Sequence, residues 1–120
     1  MPDDPEFRRL LWFLFGGKRG GETRARIVQA IRFRPSNLNQ ISNDLDLQYK
    51  AVQHHIRVLT GCSLVVSSGP RYGTVYALSP WFEHHMQLFE EVCARVGIKL
   101  SDLKNEPASG ASSVQLIQSA

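Results

Sequence analysis

Two helix-like patterns separated by a tight turn, and a hairpin-like pattern after them, occupy the segment from Asn37 to Leu78 and constrain the fold most strongly. The first helix is predicted by apolar residues at helical spacing, namely Leu38, Ile41 and Leu45. Ser36 or Asn37 can cap this helix. Asp46 lies where the chain must turn, and aspartate tolerates the left-handed backbone conformation better than most residues.

The second helix of this pair is predicted to run from Gln48 to Thr60, and Gly61 ends it. An apolar stripe can fix the helix to a core, and it consists of Val52, Ile56 and Leu59. The side chains away from the stripe can meet a partner, and they are Gln48, Tyr49, Lys50, Gln53, His54, His55 and Arg57. A helix with hydrogen-bond donors and cations along one side fits the major groove of DNA.

The hairpin is predicted from two β-prone runs, Leu64 to Ser67 and Thr74 to Leu78. Glycine and proline residues lie in the connection between the runs, so its tip at 67–74 can project as a wing. Arg71 and Tyr72 are the side chains that this tip offers. A basic tip suits the DNA backbone or the minor groove.

Further helices are predicted on both sides of this unit. Pro5 suits the first position of a helix that ends at Gly16-Gly17, and a second helix spans Glu22 to Arg34. Ser79-Pro80 predicts the start of a last helix that Gly97 ends. The sequence therefore predicts a mainly α fold with a small β-hairpin (α+β). The segments are an N-terminal helix at 1–17, a winged helix-turn-helix at 18–80, a C-terminal helix at 81–97 and a mobile tail at 98–120.

Positive charge concentrates on the predicted DNA-binding unit. Residues 18–76 contain nine Lys or Arg and three Asp or Glu, whereas the whole chain has a net charge of only +3. This distribution favours contact with phosphates over a merely soluble basic surface. Lys18 and Arg24 are predicted to contact the DNA backbone, as is Arg71 unless it reaches the minor groove.

Base reading is assigned to the middle of the second helix. Gln53 can read adenine through its amide, and His54 lies beside it, one turn from Lys50 and Arg57. His55 has two open roles, because it can touch phosphate or pack half-buried against the domain. Tyr49 likewise can contact DNA or pack on the preceding helix.

Several other classes of protein are disfavoured. The chain lacks a nucleophile–base constellation, paired carboxylates in a plausible cleft and a phosphate-binding loop, so we predict no enzyme and no cofactor. Cys62 and Cys93 form neither a disulfide framework nor a CxxC motif, which favours a reducing, cytoplasmic location. His84, His85 and Cys93 are competent metal ligands, but adjacent helical histidines diverge by about 100°. We therefore predict no metal site. The short apolar run of the first helix predicts no membrane span.

The sequence also resembles a known family along residues 7 to 97. The matching motifs are Arg34-Pro35, Leu38, Ile41, Leu45, Leu47, the run from Ala51 to Leu59, Leu64-Val65 and Tyr76-Ala77-Leu78. They resemble the winged helix-turn-helix of ArsR-like transcriptional regulators. The run from Leu10 to Gly21 resembles the opening of a group of archaeal regulators of that class. The resemblance implies a dimeric DNA-binding regulator whose terminal helices form the dimer contact.

Three residues or segments depart from the pattern of that family. Asp46 replaces a turn glycine, and Gln48 replaces the usual Ser or Thr cap. The paired cysteines of metal-sensing members are missing from the segment Asp44 to Gln48. The metal-response mode is therefore unsupported, and a small-molecule effector stays unidentified.

The flanking helices carry apolar faces that are too extensive to leave in water. We predict that these faces form a homodimer contact through Leu10, Leu11, Leu14, Phe82, Phe89, Val92 and Val96. The predicted function is that of a homodimeric, sequence-specific regulator that binds double-stranded DNA. The alternative is a winged-helix module of the transcription machinery that binds another protein and has no duplex-DNA specificity of its own.

Overall fold

The computed structural model describes residues 5–17, 19–69 and 73–100, and within these it contains six helices and one two-stranded antiparallel sheet. The helices are α1 (Pro5–Phe15), α2 (Gly21–Phe33), α3 (Leu38–Leu45), α4 (Tyr49–Gly61), α5 (Pro80–Glu83) and α6 (Met86–Arg95). The strands are β1 (Val65–Ser68) and β2 (Val75–Leu78), paired from Val65↔Leu78 to Ser68↔Val75. The predicted fold class is confirmed, since α3, the turn, α4 and the hairpin follow in the expected order.

Local side-chain chemistry explains where α3 begins and ends. The side-chain oxygen of Asn37 accepts a hydrogen bond of 2.8 Å from the backbone N–H of Gln40, whose side chain accepts one of 2.8 Å from the backbone N–H of Asn37. This reciprocal pair satisfies two donors of the helix terminus. Asp46 ends α3 in the left-handed conformation, at φ 56° and ψ 51°, as the sequence predicts. Asn37 is therefore the cap.

Ser36 serves the hairpin instead of α3. Its backbone pairs with that of Tyr76 through hydrogen bonds of 3.1 and 2.8 Å, one in each direction. This bridge holds the segment before α3 against β2. The hairpin is consequently fixed beside the helix pair through the main chain, and its orientation does not depend on side-chain packing alone.

The predicted single C-terminal helix at 81–97 is wrong, because the helix is interrupted at His84 and His85. Ser79 caps α5 by accepting a hydrogen bond of 3.1 Å from the backbone N–H of Phe82. In a continuous helix the backbone N–H of His85 bonds to the carbonyl of Trp81. Here that N–H donates to Phe82, and Nδ1 of the His85 ring takes the Trp81 carbonyl at 2.7 Å. The imidazole thereby replaces the backbone donor, and a new helix starts at Met86.

The described residues share one hydrophobic core, and α1, α5 and α6 all contribute side chains to it. Five of the seven residues that we predict as dimer contacts lie within it: Leu11, Leu14, Phe82, Phe89 and Val92. Their exposed fraction is 0% within the single chain, so they are unavailable to a second subunit in this fold. The physical reason is that α1 packs against α2 and α6 of its own chain. Leu10 and Val96 are half-buried.

Residues 98–100 pack against the domain, although the mobile tail is predicted to begin at residue 98. Ile98 and Leu100 are half-buried and contact the core, and the backbone N–H of Ile98 donates a hydrogen bond of 2.8 Å to Cys93. Residues 101–120 lie outside the described part of the chain. Among the helices described, none has the length and apolar character that a bilayer crossing requires.

Candidate nucleic-acid interface

Helix α4 has one face in the core and the opposite face in solvent. Val52, Ile56 and Leu59 are at most 3% exposed and attach the helix to the domain. The exposed side chains on the other face and at its start are Gln48, Tyr49, Lys50, His54 and Arg57. Because these carry amide, phenol, ammonium, imidazole and guanidinium groups, the solvent face of α4 can contact both base edges and phosphates.

Gln53 lies half-buried in a groove between α4 and the hairpin. Its groove is lined by Leu38, Gln53, Ile56, Arg57, Thr60 and Tyr76. A neighbouring groove is lined by Asn37, Leu38, Asn39, Tyr49, Gly73, Thr74 and Tyr76. The two grooves share Leu38 and Tyr76, so they form one continuous surface across α3, α4 and β2.

This surface includes Asn39, Thr74 and Tyr76, which sequence reasoning did not assign to the site. Tyr76 is half-buried at the point where both grooves meet. The alternation of side chains along an extended chain was the available signal, because it places Thr74, directly before β2, and Tyr76 on the same side. Which side faces α4 depends on tertiary packing, and the sequence pattern does not contain that information.

His55 packs against the domain and is half-buried. Its Nδ1 atom lies 3.2 Å from Nη1 of Arg24, and its ring contacts the His54 ring with centroids 5.1 Å apart. Burial lowers the pKa of His55, and the charges of Arg24 and His54 lower it further. Of the two roles left open by the sequence, the structure supports the packing role.

Arg24 contacts acceptors within the protein, and its predicted contact with the DNA backbone stays a prediction. Its Nε donates a hydrogen bond of 2.8 Å to the carbonyl oxygen of Leu14 at the end of α1. Its Nη2 donates one of 3.4 Å to the carbonyl oxygen of Arg19, and Nη1 contacts His55. Burial lowers the pKa of Arg24, while the nearby Cys62 thiol acts in the opposite direction. The guanidinium thus joins three segments of the domain.

Other cations of the basic segment have intramolecular partners as well. Arg26 donates to the carbonyl oxygen of Leu45 at 2.9 Å. Arg32 pairs with Glu90 at 3.1 Å, and Arg34 lies 3.5 Å from Asp44. The predicted positive charge is therefore partly neutralised within the chain. Lys50 and Arg57 remain the exposed cations of α4, while the predicted contacts Lys18, Arg71 and Tyr72 lie outside the described residues.

The histidine and cysteine group near the C-terminus does not assemble into a metal site. Among the residues that the structure describes, no three His, Cys, Asp or Glu side chains are grouped to hold an ion. His85 bonds to the Trp81 carbonyl. Burial, with a smaller contribution from Glu90, raises the pKa of Cys93 to about 12, so its thiol stays protonated. His85 thus belongs to the interruption between α5 and α6, while Cys93 is buried in the core.

Comparison with known families identifies the helix-turn-helix segment. Residues 21–67 match the family model described as "Bacterial regulatory protein, arsR family". The matched stretch begins with α2, contains α3 and α4, and ends within β1, which is less than half of the chain. No match was found among curated protein sequences.

Solved structures with the same architecture include three from bacteria. Reduced HlyU from Vibrio cholerae has a TM-score of 0.55 at 18% identity, covering 78% of this chain and 93% of that chain. A cysteine-to-serine mutant of ZitR from Lactococcus lactis has a TM-score of 0.54 at 18% identity, covering 72% and 59% respectively. Staphylococcus aureus MarR, in complex with salicylate and kanamycin, has a TM-score of 0.52 at 17% identity, covering 81% and 63%.

This chain therefore spans less than two thirds of the ZitR cysteine-to-serine mutant and of MarR. At such low identities the likeness shows the fold alone, which is a winged helix-turn-helix. The local match to the family model coincides with the helices that carry the candidate interface.

Proposed function

We propose that this chain is a homodimeric transcriptional regulator that binds double-stranded DNA sequence-specifically and belongs to the ArsR-like class. The observation that carries the proposal is the geometry of α4. Its aliphatic face is held in the core, and its opposite face exposes Lys50, His54 and Arg57 to solvent. A rigid helix with an exposed polar face is what major-groove recognition requires. The proposal describes a cytoplasmic binding protein and not an enzyme.

Within this proposal, the residues of α4 divide into two groups. Gln53 and His54 read base edges, because an amide or an imidazole can pair with a specific pattern of donors and acceptors. Lys50, Arg57 and Gln48 position the helix on phosphates, together with Tyr49. Tyr76 of β2 lines the same groove as Gln53, so the hairpin side of the site contacts the neighbouring DNA backbone.

The homodimer part of the proposal uses outward residues of α1 in place of the buried ones. Phe13 is 75% exposed and Trp12 is 39% exposed, although both are large and apolar. Half-buried Leu10 lies on the same helix. Exposed aromatic side chains on one helix are a common feature of protein–protein contacts. A symmetric pair of chains places two α4 helices in successive major grooves, about 34–36 Å apart.

Selection of bound sequences from random duplex DNA tests the proposal. We expect a pseudo-palindromic motif with half-sites about one helical turn apart, and a mass by light scattering that equals two chains. Failure to enrich any motif, combined with capture of no duplex at low salt, would refute DNA recognition and favour the protein-binding alternative. A small-molecule effector stays a prediction without an assigned site.

Selection with the Gln53→Ala variant tests the base-reading assignment. We expect the base preference to relax at one position of each half-site, because each good side-chain–base pair favours the correct base over a wrong one by about 1–3 kcal/mol. The matched control is Gln87→Ala, which removes an exposed glutamine from α6. An unchanged motif with Gln53→Ala contradicts the assignment of Gln53 and leaves DNA binding itself intact.

A further inference from the structure

Arg24 connects three segments that meet behind the candidate DNA-binding helix. Through Nε it holds the Leu14 carbonyl in the last turn of α1 at 2.8 Å. Through Nη2 it reaches the Arg19 carbonyl of the α1–α2 linker at 3.4 Å, and through Nη1 it meets Nδ1 of His55 on α4 at 3.2 Å. One side chain thus joins α1, the linker and α4. The guanidinium fork supplies the donors that such a three-way junction needs.

The linker around this junction is packed closely. Gly20 has φ +79°, and a Cβ added there would lie 2.8 Å from Cε1 of His55 and 3.1 Å from Nη1 of Arg24. A Cβ added at Gly21 would lie 2.6 Å from the carbonyl oxygen of Phe15. A side chain at either of these glycines would therefore clash, and the His55 ring lies directly against Gly20. The end of α1 is thus connected to α4 through direct contacts of Arg24 and His55.

Hydrogen-bond chemistry fixes the form of His55 in this arrangement. The guanidinium group has only donors, so Nδ1 of His55 must be the acceptor. Neutral His55 then carries its proton on Nε2. A protonated ring would place N–H donors of both residues against each other and abolish the hydrogen bond. The junction thus selects one tautomer and one orientation of a side chain that projects from α4.

We propose that Arg24 is a positioning residue that fixes the direction of α4 relative to the C-terminal turn of α1, acting through His55 and without touching DNA. This inference rests on the proposed function, since it concerns how well α4 enters the groove. It assigns Arg24 a role different from that of Arg57, which lies exposed on α4 itself. The two roles have different signatures in the salt dependence of binding.

A phosphate contact and a positioning contact are distinguishable because phosphate contacts release counterions. Each neutralised phosphate contributes about 0.9 to the slope of log affinity against log salt. Removing a phosphate contact therefore lowers both the affinity and the slope. Removing a positioning contact lowers the affinity and leaves the number of released counterions almost unchanged.

The test measures binding of the full chain to the duplex recovered by selection from random DNA, using fluorescence anisotropy over a series of salt concentrations. For Arg24→Met we expect about a tenfold loss of affinity with an unchanged salt slope. Arg24→Lys keeps the charge, but one ammonium group cannot bridge the three acceptors, so a similar loss is expected. Arg57→Met is the control, with a slope reduced by about 0.9.

Variants of His55 test whether Arg24 acts through this ring. His55→Asn places an amide oxygen near the position of Nδ1, so we expect affinity within about twofold of wild type. His55→Ala removes the acceptor and should reproduce the loss seen in Arg24→Met. The double variant Arg24→Met/His55→Ala should lose no more than either single variant, because coupled residues are not additive.

To exclude unfolding as the cause of a lost affinity, affinities are compared at a temperature where circular dichroism shows each variant fully folded. If Arg24→Met does not fold, Arg24→Lys and His55→Ala carry the test. Wild-type affinity in the folded Arg24 variants overturns the inference, and so does a salt slope reduced as in Arg57→Met. A wild-type chain that binds no duplex overturns the proposed function itself, so the two failures are distinguishable.

Discussion

Arg26 on α2 donates a hydrogen bond of 2.9 Å from Nη2 to the main-chain carbonyl oxygen of Leu45, the last residue of α3. The carbonyls of a terminal helical turn have no partner within the helix, so this guanidinium satisfies one of them. It also lies next to the tight turn at Asp46, which sets the angle between α3 and α4. The contact thereby attaches the turn of the helix pair to α2.

Substitution of Arg26 tests that contact. Arg26→Met keeps most of the aliphatic length and removes the donors, and we expect a loss of about 1.5 kcal/mol in the free energy of unfolding. The half-exposed position of Arg26 keeps the loss at the low end of the range for charged donors. Urea denaturation measures the change. Exposed Arg9 on α1 provides the control Arg9→Met, and an equal loss in both variants contradicts the role assigned to the Leu45 contact.

Glycine substitutions separate backbone strain from contact at the α1–α2 linker. Gly20 and Gly97 both have positive φ, at +79° and +86°, but only a Cβ at Gly20 meets a neighbour within 4 Å. Gly97→Ala should lose about 1 kcal/mol from backbone strain alone, and Gly20→Ala should lose more. Gly61 lies in α4 with open space around it, so Gly61→Ala should be stabilising by about 0.5–1 kcal/mol. Thermal denaturation measures the stability of the three variants. Equal losses of stability for Gly20→Ala and Gly97→Ala would contradict close packing of Gly20 against His55.

The stability of the domain should decrease in acid because of His55. Its folded-state pKa lies below the ordinary value of 6.5, so the unfolded chain binds a proton more readily than the folded one. Neutral His55 makes its full contribution to the free energy of unfolding above about pH 6.5, and this contribution is lost as the pH falls through the folded-state pKa. Denaturation in urea across this range measures it. His55→Asn should flatten the dependence, whereas His54→Asn, at an exposed neighbour, should preserve most of it.

The two cysteines should differ in reactivity toward a thiol reagent. The raised pKa of Cys93, about 12, keeps its buried thiol protonated, and thiolates are the reactive species. Cys62 is half-buried near the end of α4. We expect one cysteine to react in the native protein, and a second to react only after denaturation. Cys62→Ser should abolish the native reaction, and rapid labelling of that variant contradicts the buried position of Cys93.

Two neighbouring residues of α1 should separate folding from association. Leu11 is fully buried in the chain's own core, so Leu11→Ala should lose about 2–5 kcal/mol of stability. Phe13 is 75% exposed, so Phe13→Ala should change the stability of the monomer little and weaken the homodimer. Denaturation and sedimentation at several concentrations measure the two effects. A Phe13→Ala protein that dimerises as tightly as wild type removes Phe13 from the proposed contact.

The elements of the helix pair were predictable because their signals are local. The apolar spacing of Ile41 and Leu45, the cap choice between Ser36 and Asn37, and the turn at Asp46 all depend on neighbours within a few residues. The interruption at His85 was not predictable from the apolar stripe. It depends on a ring nitrogen that captures the Trp81 carbonyl, and hydrophobic periodicity carries no signal for that event.

The sequence pattern does not show which group an apolar or charged side chain will contact in the folded protein. Periodicity shows that Leu14 and Phe89 must be covered, but it does not distinguish the chain's own core from a second subunit. Charge counting likewise includes Arg24 among candidate phosphate contacts, although its guanidinium bonds to carbonyl oxygens and to His55. Both questions depend on tertiary packing, which local patterns do not specify.

The division of α1 into an inward face and an outward face has a consequence for related copies of this protein in one cell. Substitutions at Trp12 and Phe13 alter surface positions, while the interior of the domain keeps its packing. Under the proposed dimer contact, duplicated genes could diverge in partner choice through these two positions without a change in the core.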